Sequence, residues 1–119
     1  MGRLRPRPTD SELAILRILW DRGPSTVRQV HEALAETRDT GYTTTLKLMQ
    51  IMADKGLVKR NETARTHVYS AVAGAEATQR VLVKDLVDRA FGGSAAALVL
   101  RALSEGTSDE ELGEIEKRS

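Results

Sequence analysis

The chain has 119 residues, 29% of them charged, with a formal net charge of +1, 3% aromatic residues and no cysteine. This length suits one compact domain with an appendage, the lack of cysteine excludes disulfides and thiolate metal sites, and the scarcity of rings argues for an aliphatic core and against recognition by base stacking. No apolar run approaches the roughly 18 residues that span a bilayer, and the start MGRLRPRP lacks a signal-peptide apolar stretch, so no membrane insertion and a cytoplasmic location are expected.

Residues 1–8 read as a disordered basic arm carrying Arg3, Arg5 and Arg7, with Pro6 and Pro8 opposing a helix. Thr9-Asp10-Ser11-Glu12 is a capping box, and it opens a first helix that runs to about Arg22 with Leu13, Leu16 and Trp20 on one face. Gly23-Pro24 stops that helix, and Ser25 is the expected cap of a second. There Val27, Val30, His31 and Leu34 recur at the spacing of a buried face, while Arg28, Gln29, Glu32 and Glu36 stay outside.

A third helix is expected from about Thr44 to Lys55, preceded by the polar linker ETRDTG. At 100° per residue Thr45, Leu48, Met49 and Met52 fall together and should face the core, with Thr43, Lys47, Gln50 and Asp54 opposite and Leu46 and Ile51 on the flanks. One of Thr43 and Thr44 is expected to be the cap. Gly56 supplies the left-handed stop. LVKRN and THVYSA then read as two short strands joined by the polar turn ETAR.

Three helices followed by a hairpin is the order of a winged helix-turn-helix, here residues 9–72, in which the third helix reads a DNA groove and the hairpin is the wing. The charges agree. Residues 1–70 hold 12 Lys/Arg against 8 Asp/Glu, whereas residues 71–119 hold 6 against 9. An anionic partner for the first part alone is therefore expected. The helix N-terminus is the positive end of its dipole, so Thr43 and Thr44 stand where hydroxyls meet phosphate or base edges. Candidate DNA contacts are Thr43, Thr44, Lys47, Gln50, Ser25, Arg28, Arg60 and Arg65, together with Arg3, Arg5 and Arg7 of the arm.

Residues 73–119 turn helical again. Val83, Leu86, Val87 and Ala90 recur at seam-like spacing before Gly92-Gly93, and Ser94 starts a helix with Leu98, Val99, Ala102 and Leu103 in a second stripe. Ser108-x-x-Glu111 is a further capping box, opening a helix anchored only by Leu112 and Ile115. Such thin amphipathic helices cannot enclose a core alone, and an identical copy is the simplest partner. Leu82, Val83, Leu86, Val87, Ala90, Phe91, Leu98, Val99, Ala102 and Leu103 are the candidate dimer residues. The fold class is thus mainly α with a small β-hairpin, a winged helix-turn-helix followed by a C-terminal helical dimerisation region.

The stretches TDSELAILRILWDRGPSTVRQVHEAL, GYTTTLKLMQIMADKGLVKR, HVYSA and FGGSAAALVL together resemble the BlaI/MecI/CopY, or penicillinase-repressor, family of bacterial regulators, almost without gaps from about residue 9 to 105. The resemblance implies a homodimeric repressor of transcription bound to a dyad-symmetric double-stranded DNA operator, with a membrane sensor protease among its partners. β-Lactam-responsive members carry an Asn-Phe bond after the LVL of the C-terminal helix. The matching positions here are Arg101 and Ala102, a departure that leaves the inducing signal open. The copper-responsive branch ends in Cys-x-Cys pairs, and a chain without cysteine cannot sense copper by that chemistry.

No enzyme and no cofactor is expected, since no nucleophile–His pair, Gly-rich phosphate loop or paired-carboxylate motif is present. His31 reads as packed and His67 as a strand residue or a phosphate contact in the wing, Trp20 and Tyr69 read as core aromatics, and no metal site is expected from a lone His. The competing reading is a winged-helix module for protein contacts without DNA binding. It needs exposed apolar residues on the third helix, for which Leu46 and Ile51 are the candidates.

Overall fold

The computed structural model describes residues 7–63, 65–106 and 108–118. The elements in order are α1 (Asp10–Arg22), β1 (Ser25–Thr26), α2 (Val27–Leu34), α3 (Tyr42–Lys55), β2 (Val58–Asn61), β3 (Val68–Ala71), α4 (Ala75–Ala90), α5 (Ala95–Gly106) and α6 (Asp109–Arg118). They form two compact units that divide between Val81 and Leu82.

In the first unit, α1 starts as its capping box dictates. The Thr9 hydroxyl accepts from the Glu12 amide at 3.2 Å, and the Glu12 carboxylate accepts from the Thr9 amide at 2.9 Å. Glu12 is nevertheless buried, because its carboxylate also accepts from Lys55 Nζ at 2.7 Å, tying the first turn of α1 to the last turn of α3. Gly56 ends α3 at φ 83°, a conformation that a Cβ would disfavour, and its turn returns the Leu57 amide to the Met52 carbonyl.

Ile15, Leu16 and Leu19 of α1, Val27, Val30 and Leu34 of α2, Met49 and Met52 of α3, Val58 and Tyr69 make one aliphatic core closed by a single ring. Thr45 is fully buried and donates to the Gly41 carbonyl at 3.0 Å, as its place on the inner face requires. Leu48 is half-buried beside this core. Trp20 differs from the core aromatic expected. It is only partly buried, and its indole N–H donates to the Ala73 carbonyl at 2.9 Å, fastening the segment after β3 to α1.

Two local expectations are corrected, and the expected hairpin gains a strand. The hairpin is a three-stranded antiparallel sheet in the order β1-β3-β2, with Ser25 opposite Tyr69 and Thr26 opposite Val68. Ser25 therefore lies in a strand, and Thr26 caps α2 in a full capping box with Gln29. The start of α3 is earlier than expected, at Tyr42. Gly41 caps it without any side-chain bond, so neither Thr43 nor Thr44 is the cap.

In the second unit, Gly92 and Gly93 take φ of 58° and 86°, and the Gly93 amide bonds the Val87 carbonyl, closing α4. The Ser94 hydroxyl accepts from the Ala97 amide and starts α5; the Ser108 hydroxyl accepts from the Glu111 amide and starts α6. The compact units divide between Val81 and Leu82, nine residues beyond the expected functional boundary at 72/73. The first two turns of α4 belong to the first unit, where Ala77, Thr78 and Val81 meet Leu16, Leu57 and Val72 around a cavity of about 270 Å³.

Candidate nucleic-acid interface

The N-terminus of α2, one flank of α3 and the turn between β2 and β3 enclose an open groove of about 650 Å³. Thr26, Val27 and Arg28 come from the β1–α2 junction, Tyr42, Leu46 and Gln50 from α3, and Arg60, Arg65, Thr66, His67 and Tyr69 from the wing. Among the described residues no acidic side chain lines it; Arg28 and Arg65 supply its positive charge, while Arg60 is paired with Glu62 at its edge. Tyr42, Leu46 and Gln50 are spaced four residues apart and therefore form one row along the helix.

β1 is what brings the walls together. Pairing of Ser25-Thr26 with Val68-Tyr69 fixes the first turn of α2 against the wing, so Arg28 and Arg60 share one groove although 32 residues apart in sequence. At the turn itself, Asn61 Oδ1 accepts from the Thr63 amide at 3.0 Å and from the Thr63 hydroxyl at 2.7 Å. Arg60 is pinned beside it. The Tyr69 hydroxyl and the Glu62 carboxylate, the latter 2.7 Å away, both raise its pKa above the ordinary arginine value and hold the guanidinium on the wing. On the other wall, the Tyr42 ring meets His31 edge-on, with centroids 5.8 Å apart.

Of the residues expected to contact DNA, Arg28, Gln50, Arg60 and Arg65 line this groove. Thr43, Thr44 and Lys47 are exposed on α3 but do not line the groove; Thr43 and Lys47 follow Gln50 round the helix, and Thr44 lies further away. Ser25 is 4% exposed and its hydroxyl donates to the Gly23 carbonyl at 2.9 Å, so its side chain is not offered to a ligand. Arg7 is exposed ahead of α1, while Arg3 and Arg5 lie outside the described residues. Thr26, Tyr42 and Leu46 were not among the expected contacts. Leu46 carried a signal as an apolar residue on the flank of an amphipathic helix, and His67, which also lines the groove, carried one as a phosphate contact in the wing.

In the second unit, Val87 is buried and Leu82, Phe91 and Leu98 are half-buried, whereas Val83, Leu86, Val99 and Leu103 are exposed, as are Ala90 and Ala102. Leu100, which the expected stripe omitted, is 68% exposed. Among the described residues no helix is long and apolar enough to cross a membrane, and no group of three side chains is placed to hold a metal.

Residues 8–118 match the model of a family described as the penicillinase repressor. The chain belongs to the penicillinase repressor family. That family comprises regulators and not enzymes. The chain is also 42% identical over 93 residues to the transcriptional regulator BlaI of Mycobacterium tuberculosis, in strains CDC 1551 / Oshkosh and H37Rv, covering 76% of this chain and 67% of each relative. Among solved structures it resembles the DNA-binding domain of the repressor BlaI, determined in solution. The TM-score is 0.54 at 20% identity, over 63% of this chain and 90% of that one. At that identity the likeness concerns the fold, and it is the winged-helix fold described above.

Proposed function

We propose that this member of the penicillinase repressor family represses transcription by binding, as a homodimer, a dyad-symmetric DNA operator through the groove between α2, α3 and the wing. The observation that carries the reading is the convergence of Arg28 and Arg65, with Arg60 held by Glu62, and Gln50 on a groove whose described lining holds no acid. Arginines satisfy phosphates and fix register, whereas a Gln on the presented face of α3 offers a donor and an acceptor to a base edge. Thr43, Thr44 and Lys47 extend the same surface, and the arm arginines add phosphate contacts.

Two copies are required because one recognition helix reads only a half-site. Exposed Val83, Leu86, Val99, Leu100 and Leu103 supply an apolar surface for a second copy, which would hold the two helices about 34–36 Å apart or a multiple of that. The work is done in the cytoplasm, beside the DNA. A sensor protease acting at Arg101–Ala102 would meet a bond inside α5 and would first have to unwind a turn.

Footprinting the purified chain on the DNA upstream of its own gene tests the reading. Protection of two symmetric half-sites is expected. Binding that shows no preference among sequences would reject it.

A further inference from the structure

Leu46 was one of the two residues that spoke for a protein-binding module, yet it lies inside the groove. It lies one turn from Tyr42 and one turn from Gln50 in a single row on α3, and it is only half-buried against the core. Tyr42 is 46% exposed at the start of the same row. Arginine beside an apolar patch also occurs at protein interfaces, so it is the groove's positive charge, with no acidic side chain among its described lining, that favours a polyanion. The apolar group that a polyanionic duplex presents on its major-groove edge is the C5-methyl of thymine.

We propose that Leu46, with Tyr42 beside it, is a specificity-determining residue that reads a thymine methyl in each operator half-site, next to the base edge met by Gln50. The inference rests on the DNA-binding reading and deepens it. Gln50 alone discriminates by hydrogen bonding, and the preceding turn of the helix adds discrimination by contact with a methyl. Ile51 is also exposed but does not line the groove, so it takes no part.

The test replaces each operator thymine in turn by deoxyuridine, which removes the methyl and nothing else. With the full-length chain, one thymine per half-site is expected to show a loss of about fourfold, the ordinary worth of one buried methyl-sized group. Leu46→Ala is expected to abolish the distinction between thymine and uracil at that position. Its thermal unfolding and its affinity for random-sequence DNA are measured alongside, and Leu46→Met, which keeps the volume, is expected to retain the distinction. Sequence-specific binding indifferent to every thymine-to-uracil exchange overturns the inference and leaves the DNA-binding reading standing. The inference is likewise overturned if a uracil-sensitive position stays equally sensitive in Leu46→Ala. Absence of any sequence preference overturns both.

Discussion

Glu12 is the one buried acid among the described residues, and it links the first turn of α1 to the last turn of α3, the proposed recognition helix. Replacing it by Ala removes the acceptor of two bonds, from the Thr9 amide and from Lys55 Nζ. The lost half of the capping box costs about 1 kcal/mol. Breaking a fully buried ion pair costs about 3–5 kcal/mol when the surviving charge is stranded. Lys55 is not stranded, since 35% of its side chain is exposed and its ammonium can turn to water. The second loss is therefore nearer the ~1 kcal/mol of an ordinary hydrogen bond, for a total of about 2 kcal/mol. Glu12→Gln keeps an acceptor for the Thr9 amide and should cost about 1 kcal/mol.

The pH dependence separates the charge from the cap. Burial by itself raises the Glu12 pKa, but the bonds from Lys55 and Thr9 more than offset it and hold the group below its ordinary 4.5. A carboxyl whose pKa is depressed on folding binds protons more readily in the unfolded chain. Its contribution is then complete above pH 4.5 and fades as the pH falls through the folded value. In urea unfolding, the gap between the parent chain and Glu12→Gln should be widest near neutrality and narrow steadily in acid. A gap that does not change between neutral pH and full protonation, or a Glu12→Ala cost under about 0.5 kcal/mol, would refute this account of the pair.

Arg28→Ala and Arg65→Ala should each weaken binding alike on all sequences and reduce the slope of log K against log salt by roughly 0.9, as titrations at several ionic strengths would show. An unchanged slope takes that arginine off the backbone. Lys47→Ala and Gln50→Ala should cost about 1–3 kcal/mol of specific affinity at fixed salt and relax preference at one position per half-site. If neither changes, α3 is not the reading helix. Leu86→Asp should put a carboxylate into the seam of each copy at several kcal/mol per charge, yielding by sedimentation a monomer that binds a half-site weakly and loses the full operator. A variant that stays dimeric places the seam elsewhere.

What could be read from residues alone followed from how far apart the interacting groups lie in the chain. Thr9 with Glu12, Ser94 with the start of α5, and Gly56 after α3 act within four residues, and each is found where local chemistry puts it. The inner face of α3 was legible for the same reason, because Thr45, Met49 and Met52 share a helical period. β1 was not. It is two residues long and exists only through pairing with a strand more than 40 residues later, and without it Ser25 looks like a cap. Gly41 as a cap left no side-chain signal either. Periodicity separated the buried side of α3 from the exposed one, but which exposed flank meets the wing depends on the packing of three elements. Tyr42 and Leu46 were missed on that account, and Leu46 was counted toward protein contacts instead.

The same two-residue strand bears on how the groove works. A DNA-binding wing on an unsupported hairpin would have to be ordered at the moment of binding, at a cost that subtracts from affinity. Here β3 is held on both sides, by β2 and by β1, and its Tyr69 is 1% exposed in the core while also serving the Arg60 guanidinium. Arg28 sits in the first turn of α2, which continues directly from β1, so its backbone is fixed relative to the wing by the ladder pairs Ser25–Tyr69 and Thr26–Val68. Lys55 and Glu12 do the corresponding work at the far end of α3. The groove walls are thus held by core packing, by the β1–β3 pairing and by the Glu12–Lys55 pair, and exposed Arg28, Arg65 and Gln50 stand on them. On the proposed reading, a groove with walls held in this way discriminates between operators by fit, because a mismatched base edge or a missing methyl cannot be accommodated by moving the backbone.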